Sequence, residues 1–376
     1  TPRRAPRRSR TPTTARSEPR GISRARRPQT VCGPWPTLGP GRFSGVMSLR
    51  IDSPDAAVAA TPFLIGFPPE DSVVLLLLDE HDTLQVSMRV DLPVGGDLAW
   101  LQSILRGIPE PVPWSVLILA YADAADPEFA QAAGMWVMHA LLPVMEIVDL
   151  VMVAHGQYSS MSRGDAEVGE ERRLEDLADH PMVAACVAAG LSHVPSRWDL
   201  VASLELIEDE VTAAVRRGLR QAVEGDYRAR RDVLEDRALD LLTGTADLTP
   251  DDIVCLARAC RDVHVRDPFL ALLLEQSEDE ASLLSTARTR LVYCLTHTPG
   301  KPAGSLAATL ALLSWADGDG AAALVAVDRS LDADPENTLG PLVAHALENG
   351  LPPDTWSRLT EGMPLDVLRG KRRRSA

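Results

Sequence analysis

Four side chains fit for proton transfer stand where strand-like runs of this sequence end: Asp91, Tyr121, Asp123 and His155. The runs, residues 84–92, 115–121 and 147–154, read as strands, and open parallel sheets gather ligands at the carboxyl ends of their strands. Arg89 and Asp91 are two residues apart on one strand and so share a face. Carboxylates with an imidazole and a phenol in reach could carry general acid/base chemistry or bind one cation. The structural alternative makes Arg89 and Asp91 an ion pair and Asp123 the cap of the next helix. A second group, Glu70-Asp71-Ser72, precedes the apolar run 72–78. It is either a carboxylate cluster beside a serine or a turn closed by side chain to backbone bonds. Ser196-Arg197 forms a third group ahead of a helix, with Ser196 as N-cap and Asp199 in the first turn. Arg197 there could reach back to hold an anion in the α/β part. Asp91, Asp123, His155 and Tyr121 are thus the catalytic candidates. Arg89, Glu70, Asp71, Ser72, Ser196 and Arg197 are the ligand-binding ones.

Several chemistries lack their residues. Gly95-Gly96 has neither the glycine spacing nor the Lys/Ser of a phosphate loop, and no Gly-x-Ser-x-Gly elbow occurs. The eight histidines show no metal-ligand spacing. Cys255 and Cys260 fall inside an apolar helical stretch and read as two buried thiols on a helix. No metal site is expected, and no cofactor is implied.

The elements that must position these residues begin at Met47. Ser53 caps a short helix that Pro54 opens. Strands at 72–78 and 84–92 form a hairpin, and strands at 115–121 and 147–154 follow, separated by helices at 97–106 and 127–142. The β-α-β-α-β order implies parallel pairing, so the expectation is a mixed, mostly parallel four-stranded sheet. Residues 167–179 are charge-dense and read as a solvated helix or loop, or as a lid should the strand-end pocket exist. Helices then follow one another at 198–219, 228–242, 250–263, 268–275 and 278–295. Three more, to Trp315, at 321–331 and at 338–347, have the small-residue texture and Asp-Pro break of a tetratricopeptide-like hairpin. The organisation is therefore a basic disordered segment at 1–46, read as upstream sequence ahead of a true start at Met47. An α/β domain at 47–185 follows, then a helical region at 186–296, tetratricopeptide-like helices at 297–350, and a tail at 351–376 with a basic end.

Composition narrows the partners. Residues 1–46 carry +10 and the last eight +5, so a total of −15 leaves about −30 on the body between them. Such a body repels phosphate backbones, and specific nucleic-acid binding is not expected. No run approaches the ~18 apolar residues that span a bilayer. Five cysteines, odd in number and scattered, suit a reducing cytoplasm.

The block Gly66-Phe67-Pro68-Pro69-Glu70-Asp71-Ser72-Val73-Val74 resembles the opening of the actinobacterial domain-of-unknown-function family 4192. Arg89-Val90-Asp91-Leu92-Pro93 resembles its second-strand motif. The stretch from Pro195-Ser196-Arg197-Trp198 to Leu204 resembles its mid-chain helix start. Leu310 to Trp315, Gly318-Asp319-Gly320 and Asp328-Arg329 resemble its C-terminal part. Relatives tend to carry a Trp/Tyr-rich segment where this chain has His155 to Met161. The resemblance implies a fold and an intracellular setting but no activity. The function expected is a non-catalytic interaction or regulatory module with a protein partner on the helical region. The alternative is a small-molecule-binding protein or hydrolase-type enzyme with a polar site at the strand ends.

Overall fold

A computed structural model of the chain describes residues 30–32, 49–92, 115–161, 169–222, 230–280, 282–349, 351, 353, 355 and 364–370. The helix expected at 97–106 lies outside these residues. Among the described ones, strands β1 (Thr30–Cys32), β2 (Ser72–Leu78), β3 (Leu84–Asp91), β4 (Ser115–Ala122), β5 (Glu146–Ala154), β6 (Gln157–Ser160) and β7 (Arg172–Arg173) form one sheet in the order β1-β3-β2-β4-β5-β6-β7. Within the segment 1–46, expected to be disordered, the three described residues are thus a strand, paired antiparallel to β3.

The mostly parallel four-stranded sheet is overturned. Among the described strands only β4 and β5 pair in parallel, and every other pair is antiparallel. The reason is the place of β2. Its Ser-Val-Val-Leu-Leu-Leu-Leu sequence is buried along its whole length, which suits a central strand and not an edge. It therefore takes β3 on one side through the hairpin and β4 on the other. The two strands missed by sequence, β6 and β7, extend the far edge. His155 and Gly156, both at positive φ (52° and 77°), make the two-residue turn between β5 and β6.

Alternate residues of β2 feed two apolar clusters. Val73, Leu75 and Leu77 join Ile118, Val137 and Leu141, the last two from helix α2 (Pro127–Leu141). Val74, Leu76 and Leu78 join helix α1 (Pro54–Ile65), and that cluster runs on without a break into the helical region. Ser53 caps α1, as its sequence implied. The charge-dense stretch 169–179 is no free lid: Arg172 pairs with Asp55 at the start of α1, and Leu177 is buried.

The helical region contains α3 (Pro181–Ala188), α4 (Arg197–Ala202), α5 (Glu210–Gln221), α6 (Arg231–Thr243), α7 (Pro250–Arg261), α8 (Val263–Ser277), α9 (Ser282–Thr296), α10 (Lys301–Ala316), α11 (Gly320–Ala333), α12 (Leu339–Glu348) and α13 (Leu365–Leu368). The single helix expected at 198–219 is two, because Ser203 to Glu208 leave the helical path and Asp209 caps a new start. Thr249 makes a capping box with Asp252 at the start of α7. Pro268 opens no helix; it lies inside α8, which Asp262 caps. Cys260 is wholly buried on α7, where burial pushes its thiol up to about 12.

The tetratricopeptide-like hairpin is not supported. Helices stand at all three places, but every residue of α10 from Ala303 to Trp315 is buried, enclosed by α7, α9, α11 and α12. A repeat helix keeps an open face for its partner, whereas α10 is the axis of a closed bundle. Close approach to α11 depends on Gly304: a Cβ there would stand 2.5 Å from the Asp334 Cβ and 3.0 Å from the Ser330 carbonyl oxygen.

Gly304→Ala separates packing from propensity. Alanine favours a helix by about 1 kcal/mol over glycine, yet overpacking this contact costs about 1–3 kcal/mol. The expected outcome of urea unfolding is a net loss of stability of about 1 kcal/mol, whereas a gain would show that α10 and α11 can part.

Candidate functional site

The candidates gather at one end of the sheet despite the revised topology. Ser72 stands opposite Asp91 on one side and Tyr121 on the other, and Val74 stands opposite Arg89. The antiparallel placing of β2 brings its amino end beside the carboxyl ends of β3 and β4. Ser72, Arg89, Asp91 and Tyr121 therefore share the sheet face that α1 covers.

Arg89 is the centre of this group. Its side chain is 5% exposed; Nη1 lies 2.5 Å from Asp91 Oδ1, and Nη2 donates to the Glu70 carbonyl at 3.0 Å. The guanidinium lies over the Phe67 ring, 5.4 Å from its centroid. Burial lowers its pKa most; Asp91 opposes that, and the charge of Arg197 adds to the lowering. Arg197 thus approaches from the first turn of α4, where it also pairs with Asp328 at 3.8 Å. Ser196 caps α4, accepting from the Asp199 amide and donating to its carboxylate.

Asp71 does something that its place in the sequence did not announce. It turns at φ 36°, and its Oδ1 accepts three amides across the sheet end: Asp123 at 2.8 Å, Ala124 at 3.1 Å and Ala125 at 2.9 Å. Successive backbone N–H groups of this kind form an anion cradle, here filled by the chain's own carboxylate. Burial raises the Asp71 pKa, but the three amides and Arg89 outweigh it and hold the group below the usual range. The Asp123 side chain is exposed and caps no described helix; Asp126 caps α2. His155 is exposed at the β5–β6 turn, at the same sheet end and beyond β4. No contact joins it to Asp91 or Tyr121 among the described residues. Glu70 is exposed and meets Arg89 through its carbonyl.

Apart from Arg89 Nη1, which Asp91 meets as an ion pair without hydrogen-bond geometry, four polar side-chain atoms on this face, each sealed from solvent, have no well-formed hydrogen bond: Ser72 Oγ, Ser87 Oγ, Arg89 Nε and Tyr121 Oη. Burial drives the Tyr121 phenol well above its ordinary pKa, with Thr61 of α1 the polar side chain facing it. Sequence reasoning missed Ser87 and the hub role of Arg89. A signal existed: in Gln85-Val86-Ser87-Met88-Arg89-Val90-Asp91, one face of the strand is apolar and the other polar, though both are covered. Among the described residues no cluster of His, Cys, Asp or Glu could hold a metal ion.

Fold and site together define an α/β protein with an appended helical bundle and a buried polar stripe on one sheet face. Residues 54–354 match the domain of unknown function DUF4192, and the chain belongs to that family. No curated protein and no solved structure matches the chain.

Asp71 yields a pH-resolved test. Asp71→Asn keeps a residue tolerant of positive φ and removes only the charge; Asp71→Ala removes the acceptor as well. Hydrogen bonds to a charged group are worth about 1.5–3 kcal/mol, discounted here for partial exposure, so about 2 kcal/mol is the expected loss for Ala and roughly half that for Asn. Because the folded pKa is lowered, the carboxylate's contribution is whole above its unfolded pKa, about 3.9, and fades as pH falls through the folded value. Urea midpoints at pH 7 and pH 3 check this: the gap between wild type and Asp71→Asn is expected to narrow at the lower pH.

Proposed function

We propose that the protein is a non-catalytic binding module, regulatory or adaptor in kind, working in the cytoplasm. One observation carries this reading: the anion cradle at the carboxyl end of β4 is filled by Asp71. A doubly wound enzyme keeps that position open for its substrate. Two of the residues with acid–base chemistry, Asp123 and His155, stand exposed on separate turns and do not converge with Asp91 and Tyr121. Large exposed apolar side chains on the helical region, among them Val187, Trp198, Val233 and Leu342, support a protein partner there. No described helix is long and apolar enough to cross a membrane, and the acidic body argues against specific nucleic acid. An actinobacterial origin belongs to the same reading and rests on the family resemblance.

A second reading, a small-molecule site, is favoured by a different observation: the four buried polar atoms without partners. It concerns the sheet face and not the strand-end turns, so it needs no reaction.

Native mass spectrometry of the whole chain, isolated gently from a bacterial host, tests the non-catalytic reading. The retained species is then incubated with fresh protein. The expected result is a partner or ligand that leaves chemically unchanged and is still retained by the Asp123→Ala/His155→Ala double variant. Conversion on incubation, or retention that this double variant abolishes, would put a hydrolase-type site in its place.

A further inference from the structure

We propose that the polar stripe on the α1 face of the sheet is a binding site for a small oxyanion, the carboxylate or phosphate of a metabolite, held by Arg89, Ser72 and Tyr121 with Arg197 at its mouth. The inference rests on the second reading of the protein as a small-molecule binder and supplies its ligand class.

The argument begins with Arg89 Nε. A guanidinium N–H can only donate, and this one is sealed from water with no acceptor. Nη1 is ion-paired with Asp91 and Nη2 donates to Glu70, so Nε is the nitrogen left for an acceptor that the described residues do not supply. Ser72 lies between Asp91 and Tyr121 in register and diagonal to Arg89. Its hydroxyl lacks a partner, and that of Tyr121 has only the Thr61 side chain facing it, with no well-formed hydrogen bond between them; Ser72 and Tyr121 are 0% and 6% exposed. Three donors side by side on neighbouring strands match a group with several acceptor oxygens.

Charge selects an anion. Arg197 repels Arg89, though less than Asp91 attracts it, and a negative ligand between the two arginines would meet both cations at once. Asp71 contributes charge near Arg89 but does not accept from Nε, since its Oδ1 is spent on the three amides beyond β4. Access is from the strand-end side, where the side chains of Asp91 and Arg197 are 31% and 23% exposed, beside the exposed Glu70. Phe67 closes the floor under the guanidinium. A group entering there would be gripped at its oxyanion end with the rest of the molecule toward α4.

The test uses the whole chain, with thermal unfolding and calorimetric titration against inorganic phosphate and against succinate, chloride serving as the ionic-strength control. The expected result is a saturable rise in Tm of several degrees with one of the two; phosphate alone points to a phosphorylated metabolite, succinate alone to a carboxylic acid. In Ser72→Ala/Tyr121→Phe, affinity is expected to fall at least tenfold. The unliganded Tm of this variant should equal or exceed that of wild type, because deleting buried hydroxyls that have no partner removes only a desolvation penalty. Arg197→Ala, at the partly exposed mouth, is the second variant, with affinity down several-fold and folding retained. The site is refuted by no saturable shift with either anion, by equal affinity in all three proteins, or by a marked loss of unliganded Tm in the hydroxyl double variant, which would mean that the hydroxyls already have partners. These outcomes are separable from the function proposed above: turnover of a bound compound would end the non-catalytic reading and leave the site standing.

Discussion

A guanidinium buried at 4% exposure is the constraint from which this end of the molecule follows. Removing such a group from water costs several kcal/mol even after relaxation, so Arg89 must collect partners, and each of them fixes a piece of backbone. Its grip on the Glu70 carbonyl and its place over the Phe67 ring pin the loop from Gly66 to Asp71 against β3. That loop's final turn, at Asp71, then carries a carboxylate across the sheet end to the amides of Asp123 to Ala125. Those amides lead into the Asp126 cap, so the start of α2 is set by a residue more than fifty positions earlier. The order of dependence runs from one cation through a loop and a carboxylate to the helix that covers the opposite sheet face.

The same chain of contacts decides what the sheet end can do. A carboxylate tethered in an amide cradle competes with any free anion at an effective concentration of millimolar order or above. Binding there would also forfeit three charge-assisted hydrogen bonds and release the loop that holds Arg89. The cradle at the strand end is thus taken by the chain's own carboxylate. Arg89 offers its one open nitrogen on the α1 side instead, where β2 and β4 add their hydroxyls.

Strand identity was legible where burial was uniform. The apolar run of β2 and the run of β4 declare themselves because both faces are covered, and their ends lie within one residue of where the sequence places them. Pairing was not legible. A βαβ order implies parallel strands only if each joins its predecessor, and β4 instead joins β2, whose full burial demands two neighbours. The short edge strands β6 and β7 carry no apolar period, and only the His155-Gly156 turn hints at the first of them. Candidate residues were found by their nearness to strand ends, which brought Ser72, Arg89, Asp91 and Tyr121 to one place. The same rule placed His155 at the end of β5, where its positive φ makes it a turn residue apart from the other four. The cradle was invisible, because an interaction between Asp71 and the backbone of Ala124 leaves no mark on the type of either residue.

A strand covered on both faces has no need of polar side chains, and β3 shows the contrast within one element. Val86, Met88 and Val90 fill the face toward α2, whereas Ser87, Arg89 and Asp91 occupy the face toward α1, where the neighbouring positions of β2 and β4 are Val74, Leu76 and Leu119. Valine or leucine at 87 and 89 would pack there at no desolvation cost. Arg89 can be understood as the anchor of the Phe67–Asp71 loop, and that accounts for Nη2, while Asp91 of its own strand takes Nη1. It does not account for Nε, nor for hydroxyls at Ser72 and Tyr121 whose removal would leave the loop's contacts intact. Marginally stable folds keep buried donors without acceptors only where something else returns the loss. Placed together, next to a second arginine and under a helix that closes the face, these donors have the composition of a recognition surface and not of a core.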